Sequence, residues 1–183
     1  MESEPGVLVH PSSDRRLAVE HWLLSTLPPS SHARARTEWQ EHQVAMLPLG
    51  GLLAAVRIPG RLVYALTGTD APSVVDPFLA ECLDGGPVIC DPHHGGRYYA
   101  LVPGRVPVTW RRAADDWRDQ DVDVLGRETV LGIPRVDAQQ FIPGACVSYW
   151  SVPMPSAGVL CPPLTVARLI AAGRHQLAEE LEA

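Results

Sequence analysis

The chain has 183 residues, of which 46% are hydrophobic and 20% charged, and its formal net charge at pH 7 is −6. These values are typical of a globular protein, and the length suits a single domain. Gly, Pro or Arg interrupts each long apolar stretch before it reaches the ~20 residues of a membrane span, so we expect no membrane association. The acidic balance predicts weak or no nucleic-acid binding, because nonspecific binding needs a positive surface.

The N-terminal residues and the cysteines indicate the compartment. Glu2 and Glu4 lie where a signal peptide would need positive charge, and no apolar core segment follows them. We therefore expect a cytoplasmic protein. In that compartment, cysteines without CxxC spacing are typical of buried thiols rather than of a metal or redox site. The cysteines of this chain lack that spacing and lie at Cys82, Cys90, Cys146 and Cys161.

The N-terminal half of the chain alternates between helical and strand patterns. Apolar periodicity, with Gly and Pro as breakers, predicts helices over 13–27, 32–40, 59–67 and 73–83 and strands over 43–47 and 52–58. Pro77 lies inside the fourth of these helices, where an interior proline costs ~3 kcal/mol. The alternative is that Asp76 caps a later helix with Pro77 at its first position.

The C-terminal half is richer in strands. Its patterns predict strands over 88–91, 98–102, 121–125, 129–133 and 148–152 and helices over 109–117 and 164–172, with 176–183 continuing or fraying from the last helix. The first two strands flank His93–Gly96, a Gly-rich pattern typical of a hairpin. In the last helix, Val166, Leu169 and Ile170 recur at helical spacing and should dock on the sheet.

The order of these elements predicts the fold class. Hairpins rather than regular βαβ units favour an α+β fold, with a mixed, largely antiparallel sheet and helices packed on one side of it. No linker divides the sequence, so residues 1–183 are interpreted as one domain. Within it we expect a helical N-terminal extension over 1–42, a core over 43–173 and a helical C-terminal tail over 174–183.

Asp91, His93 and His94 form the first candidate site, in the predicted hairpin. A turn can bring two adjacent histidines to one place, and Asp91 or Cys90 could supply a third metal ligand. The alternative is that both histidines are solvated, because Gly-rich hairpin tips are usually exposed.

Asp121 and Asp123 form the second candidate site. Alternate residues of a strand share a face, so the two carboxylates could point together at a divalent cation. The alternative is a solvated edge that neighbouring arginines neutralise.

Four segments of the sequence resemble a known family. They are Ala55–Pro59 with the helix after it; 86–89 with Gly95–Pro103; 121–127 with 129–134; and 149–155 with the helix over 160–172. They lie in the region from about Leu52 onward, which is about two-thirds of the chain. In them the chain resembles the short actinobacterial members of the bifunctional primase/polymerase (prim-pol) family, which implies a prim-pol-like core over 43–173.

The resemblance also implies roles for particular residues. In catalytic members, two acids of an early strand and one of a late strand hold divalent metals, and a hairpin histidine helps to bind the nucleotide. Asp123, with Asp121, matches the late acid, and Tyr98 or Tyr99 stands at the histidine position beside Arg97. The early Asp-x-Asp is missing, because 43–58 contains no acid. Two-metal phosphoryl transfer needs several carboxylates, so the resemblance implies degenerate catalytic motifs.

Three functional hypotheses follow. The first is a noncatalytic prim-pol-like domain without a cofactor, which binds a protein partner or itself in a regulatory or structural role. The second is a nucleotide-binding or nucleotidyltransferase enzyme that uses Asp121 and Asp123 with Mg²⁺ or Mn²⁺, and Arg97, Tyr98 and Tyr99 for the nucleotide. The third is a metal-dependent hydrolase built on the histidine hairpin.

Overall fold

The computed structural model describes residues 11–182, so the expectation that no signal peptide lies at the N-terminus falls outside the described residues. The helices are α1 (Pro11–Leu24), α2 (His32–His42), α3 (Gly60–Thr67), α4 (Pro72–Cys82), α5 (Val106–Thr109), α6 (Arg111–Trp117) and α7 (Pro163–Glu182). The strands are β1 (Val44–Pro48), β2 (Leu53–Pro59), β3 (Val88–Asp91), β4 (Arg97–Pro103), β5 (Asp123–Leu125), β6 (Val130–Pro134) and β7 (Tyr149–Val152). None of these helices combines the length and apolar composition that a membrane span requires.

A five-stranded sheet forms the centre of the molecule, in the order β5-β2-β4-β3-β7. Every pairing within it is antiparallel, and β1 and β6 form a separate antiparallel ribbon. The α+β class is therefore confirmed, with a sheet that is wholly antiparallel in the described part of the chain. The predicted hairpin is also present, as β3 and β4 pair across a short 3-10 turn at His93–Gly95.

One face of the sheet packs against α3, α4 and α7. Val166, Leu169 and Ile170 of α7 are buried there, and Arg168 and Arg174 are exposed, which confirms the predicted facing of this helix. At Gly173 a Cβ atom would overlap the backbone carbonyl of Leu62, so α7 approaches α3 more closely than a larger residue allows.

The opposite face is covered as well, by α1, α2 and the β1–β6 ribbon. The expectation that helices pack on one side only is therefore wrong. The reason lies in the strands: successive residues of β2, from Leu53 to Val56, are all buried, so β2 needs cover on both faces. Trp39 of α2 anchors this layer, because its indole donates a 2.8 Å hydrogen bond to the Ile133 carbonyl in β6.

Two helix ends were open in the sequence. Helix α4 begins at Pro72 and continues through Pro77, so the alternative in which Asp76 caps a later helix is wrong; Val75 and Leu79 are buried on either side of the proline and hold the helix in place. Helix α7 is continuous to Glu182, as expected where 176–183 continues the last helix.

Candidate functional site

The site lies where β2 ends and β4 and β5 begin, on the sheet face that α1, α2 and the β1–β6 ribbon cover. Arg57, near the end of β2, is in register with Tyr99 of β4 on one side and with Asp123 of β5 on the other. Residues in register across a sheet project to the same face. The sheet therefore presents an acid, an arginine and a tyrosine in one row.

At the end of this row, glycines allow the β3–β4 loop to contact the start of α3. The Gly60 N–H, at the start of α3, donates a 2.9 Å hydrogen bond to the Gly96 carbonyl in the β3–β4 loop. A Cβ atom at Gly60 would overlap the Gly95 carbonyl oxygen, and one at Gly96 would overlap the Tyr64 hydroxyl. Gly96 also has φ 80° and ψ 136°, a conformation that residues with a Cβ avoid. The loop and the helix can meet here only because these positions lack side chains.

Beside this contact lies a cleft of about 390 Å³, which we call the arginine cleft. Its walls carry three guanidinium groups, from Arg57, Arg61 and Arg97, and the imidazole of His94. Asp121 is the carboxylate in its lining. The chain as a whole is acidic, so this cleft concentrates the opposite charge in one place.

The three arginines differ in their partners. Arg57 donates to the Asp123 carboxylate, and Arg61 donates to Asp121 at 2.8 Å and to the Gln120 carbonyl at 2.7 Å. Arg97 is different: among residues 11–182, no carboxylate oxygen lies within 4.0 Å of its guanidinium. The cleft therefore contains one guanidinium that a negatively charged ligand could neutralise.

The loop explains why Arg97 has no carboxylate partner. Asp91 lies in register with Arg97 across β3 and β4. Its Oδ1 instead accepts a 3.1 Å hydrogen bond from the His93 N–H and lies 2.6 Å from Nδ1 of the same residue. The predicted metal candidates Asp91 and His93 thus engage each other, and His94 faces the arginines.

Tyr98 and Tyr99, both predicted to bind nucleotide, lie on opposite faces of β4. Tyr99 is half-buried near the arginines: burial and Asp91 raise the pKa of its hydroxyl, and Arg57 and Arg97 oppose that rise. Tyr98 is buried in the core between the sheet and the helices α3, α4 and α7, and desolvation raises the pKa of its hydroxyl strongly. Only Arg97 and Tyr99 of the predicted set therefore share a face.

The predicted pair Asp121 and Asp123 is also separated. Asp121 precedes β5 in a left-handed conformation, with φ 56°, so the two acids do not alternate along one strand. Each is paired with a different arginine. Among residues 11–182, no three His, Cys, Asp or Glu side chains are grouped so that they could hold a metal ion. Asp123 and Asp121 neutralise Arg57 and Arg61, and the remaining positive charge of Arg97 would in addition disfavour a cation in this cleft.

Neither Arg57 nor Arg61 was among the site residues predicted from the sequence. One signal was available for Arg57, since it is a charged residue between apolar neighbours in a buried strand. Nothing local marks Arg61, because its carboxylate partner is 60 residues away. The cleft offers guanidinium forks that match phosphate geometry. The thiol of Cys90 lies on the opposite face of the sheet, and burial raises its pKa to about 11, which disfavours the nucleophilic thiolate at neutral pH.

Comparison of the chain with protein-family models, with curated proteins and with solved structures gives no match.

Proposed function

We propose that this chain is a noncatalytic, prim-pol-like domain that binds a phosphate-bearing ligand, of the nucleotide class, in the arginine cleft. The observation that carries the proposal is the Arg97 guanidinium, which has no carboxylate within 4.0 Å among residues 11–182 and lies in a cleft that Arg57 and Arg61 also line. Guanidinium groups bind phosphate through two parallel charge-assisted hydrogen bonds, so several around one cleft favour a polyanion.

The noncatalytic part of the proposal is supported by the partner of Asp123. In the resembling family this late acid would share a metal with acids of an early strand. Here the residue in register with Asp123 on the adjacent strand is Arg57, and the arginine donates to its carboxylate. A carboxylate that is neutralised in this way is a poor ligand for a second cation. Binding without nucleotidyl transfer is therefore the function that this geometry supports best.

Calorimetric titration with inorganic triphosphate, in chelator and at low ionic strength, tests the binding. We expect Arg97→Gln to weaken the affinity about tenfold, because one charge-assisted hydrogen-bond pair is lost. Arg168→Gln, at an exposed position of α7, is the matched control and should leave the affinity unchanged. No heat of binding with the unaltered chain, or equal effects of both variants, would contradict the proposal.

Two further experiments test which class of ligand binds and whether the chain catalyses nucleotidyl transfer. A nucleoside triphosphate should bind at least as tightly as triphosphate, and single-stranded DNA only weakly, because the net charge of −6 repels a long polyanion. Primer extension with Mn²⁺ should give no product. Robust extension that Asp123→Ala abolishes would refute the noncatalytic assignment.

A second candidate function is protein or self binding, which the segment between β6 and β7 favours. Three large apolar side chains there are exposed: Phe141 by 38%, Ile142 by 65% and Val147 by 39%. Apolar side chains grouped on a surface mark interaction sites more often than single ones do. Sedimentation over a range of concentrations tests self binding. Association that Ile142→Asp abolishes would support it, and a monomer at all concentrations would contradict it.

A further inference from the structure

A second cleft lies on the other side of Gly95 and Gly96, with a volume of about 370 Å³. Four aromatic rings line it, from Tyr64, Tyr98, Phe141 and Tyr149. The Tyr64 and Tyr98 rings meet edge to face with centroids 6.1 Å apart, and the Phe141 and Tyr149 rings lie 5.9 Å apart. We call this the tyrosine cleft. Unlike the arginine cleft, it has no basic side chain among the described residues that line it.

The charge around the tyrosine cleft is negative. Asp70 is an exposed member of its lining. Behind Tyr149, the carboxylate of Asp76 accepts hydrogen bonds from the Tyr149 hydroxyl at 3.2 Å and from the Ser151 hydroxyl. Both donors are neutral, and among residues 11–182 no cationic side chain lies within 4.0 Å of Asp76. A half-buried carboxylate therefore remains without a counter-charge next to the aromatic wall.

Burial is the main cause of the raised pKa values near this cleft. It raises the pKa of Asp76, behind the aromatic wall, and the hydrogen bonds from Ser151 and Tyr149 partly oppose that rise. Burial also raises the pKa of Tyr64; the hydrogen bond with Tyr98 opposes this rise, and Cys90 and Asp70 add to it.

From this combination we infer that the tyrosine cleft binds an organic cation, either a quaternary ammonium group or the basic side chain of a protein partner. Aromatic rings attract cations electrostatically, and a carboxylate at the rim adds a direct charge interaction. The volume is at the small end of the range for ligand pockets and admits a trimethylammonium or guanidinium group together with the part of the molecule that carries it. This inference rests on residues other than the arginines, so it does not depend on the proposed phosphate binding.

Saturation-transfer NMR with choline tests the inference, with 3,3-dimethyl-1-butanol as its neutral isostere at matched ionic strength. We expect choline to bind at least about fivefold more tightly than the alcohol, because only the charged compound gains the cation–π and carboxylate interactions. Acetyl-arginine amide forms the second arm. Tighter binding of the arginine compound would indicate a protein side chain as the source of the cation, and tighter binding of choline would indicate a small molecule; either supports the inference.

Two variants at exposed positions link the binding to the cleft without endangering the fold. Phe141→Leu keeps the apolar bulk and removes one ring, and Asp70→Asn removes the rim charge. Each should weaken choline binding about threefold. Asp84→Asn is the matched control, because Asp84 is exposed and lies beyond the opposite end of α4. Equal binding of choline and the alcohol, or affinities that neither cleft variant changes, would overturn the inference.

Discussion

The arginine cleft and the tyrosine cleft share Gly95 and Gly96 as a common wall, and they differ in almost everything else. One is formed by polar residues at the strand ends of one sheet face. The other is lined by aromatic residues, two of which, Tyr98 and Tyr149, belong to the core beneath the opposite face. The alternation of side chains along β4 produces this difference, because Arg97 and Tyr99 project to one face and Tyr98 to the other.

The largest expected effect is a loss of stability on substitution of Gly96, one of the two glycines that separate the clefts. Gly96→Ala should lower the free energy of unfolding by about 2–4 kcal/mol, since an unfavourable backbone conformation adds to overlap with the Tyr64 hydroxyl. Gly95 also has a positive φ, of 83°, but no atom lies within 4 Å of a Cβ added there. Gly95→Ala should therefore lower the free energy of unfolding by only about 1 kcal/mol. Urea denaturation of both variants measures the difference.

A second variant shows whether the overlap is the cause. Adding Tyr64→Phe to Gly96→Ala removes the overlapping oxygen and should restore part of the lost stability. If both alanine variants lose the same stability and Tyr64→Phe restores none of it, Gly96 does not lie as close to the Tyr64 hydroxyl as described.

A smaller effect is expected on triphosphate binding when the carboxylate partner of Arg57 is removed. Asp123→Asn releases the Arg57 guanidinium from its carboxylate and should tighten triphosphate binding about threefold, as expected for a half-exposed ion pair. Choline binding should not change. Asp84→Asn makes the same change in net charge elsewhere and serves as the control in calorimetric titrations. Weaker triphosphate binding by the Asp123 variant would indicate that this acid contributes to the ligand site.

The smallest effect is a pH dependence that belongs to the tyrosine cleft. The pKa of Asp76 is raised by burial, so the folded protein holds this proton more tightly than the unfolded chain. The contribution of Asp76 to stability is therefore full below the unfolded pKa of 3.8 and falls as pH rises through the folded pKa. Asp76→Asn should remove this fall. Urea denaturation of the two proteins across that pH window checks it, and identical slopes would contradict the assignment.

The parts of the fold that local pattern determines could be predicted from the sequence. The stripe of Val166, Leu169 and Ile170 predicted both the existence and the facing of α7, because helical spacing alone decides which side is apolar. The β3–β4 hairpin followed in the same way from its Gly-rich turn. The prediction that helices cover one face of the sheet was wrong. The unbroken apolar run of β2 indicated that both faces are covered.

The candidate sites depend on contacts that local pattern does not encode. Arg57 meets Asp123 across 66 positions of the chain, and Asp76 meets Tyr149 across 73. The alternative in which Asp76 caps a helix rested on its local sequence, but Asp76 lies inside α4 and accepts tertiary hydrogen bonds from Tyr149 and Ser151. One interpretation placed Asp121 and Asp123 on the same strand face, but Asp121 is a turn residue with positive φ, which ends that alternation.

The most direct test of two clefts with opposite chemistry is a map of ¹⁵N–¹H NMR shifts with triphosphate and with choline, each added to the full chain. We predict that triphosphate shifts the amides around Arg61 and Arg97, and that choline shifts those around Asp70, Tyr98 and Phe141. The two sets should overlap at Gly95 and Gly96 alone, because these residues form the common wall. Shifts from both ligands in the same set of residues, or shifts remote from either cleft, would contradict the account.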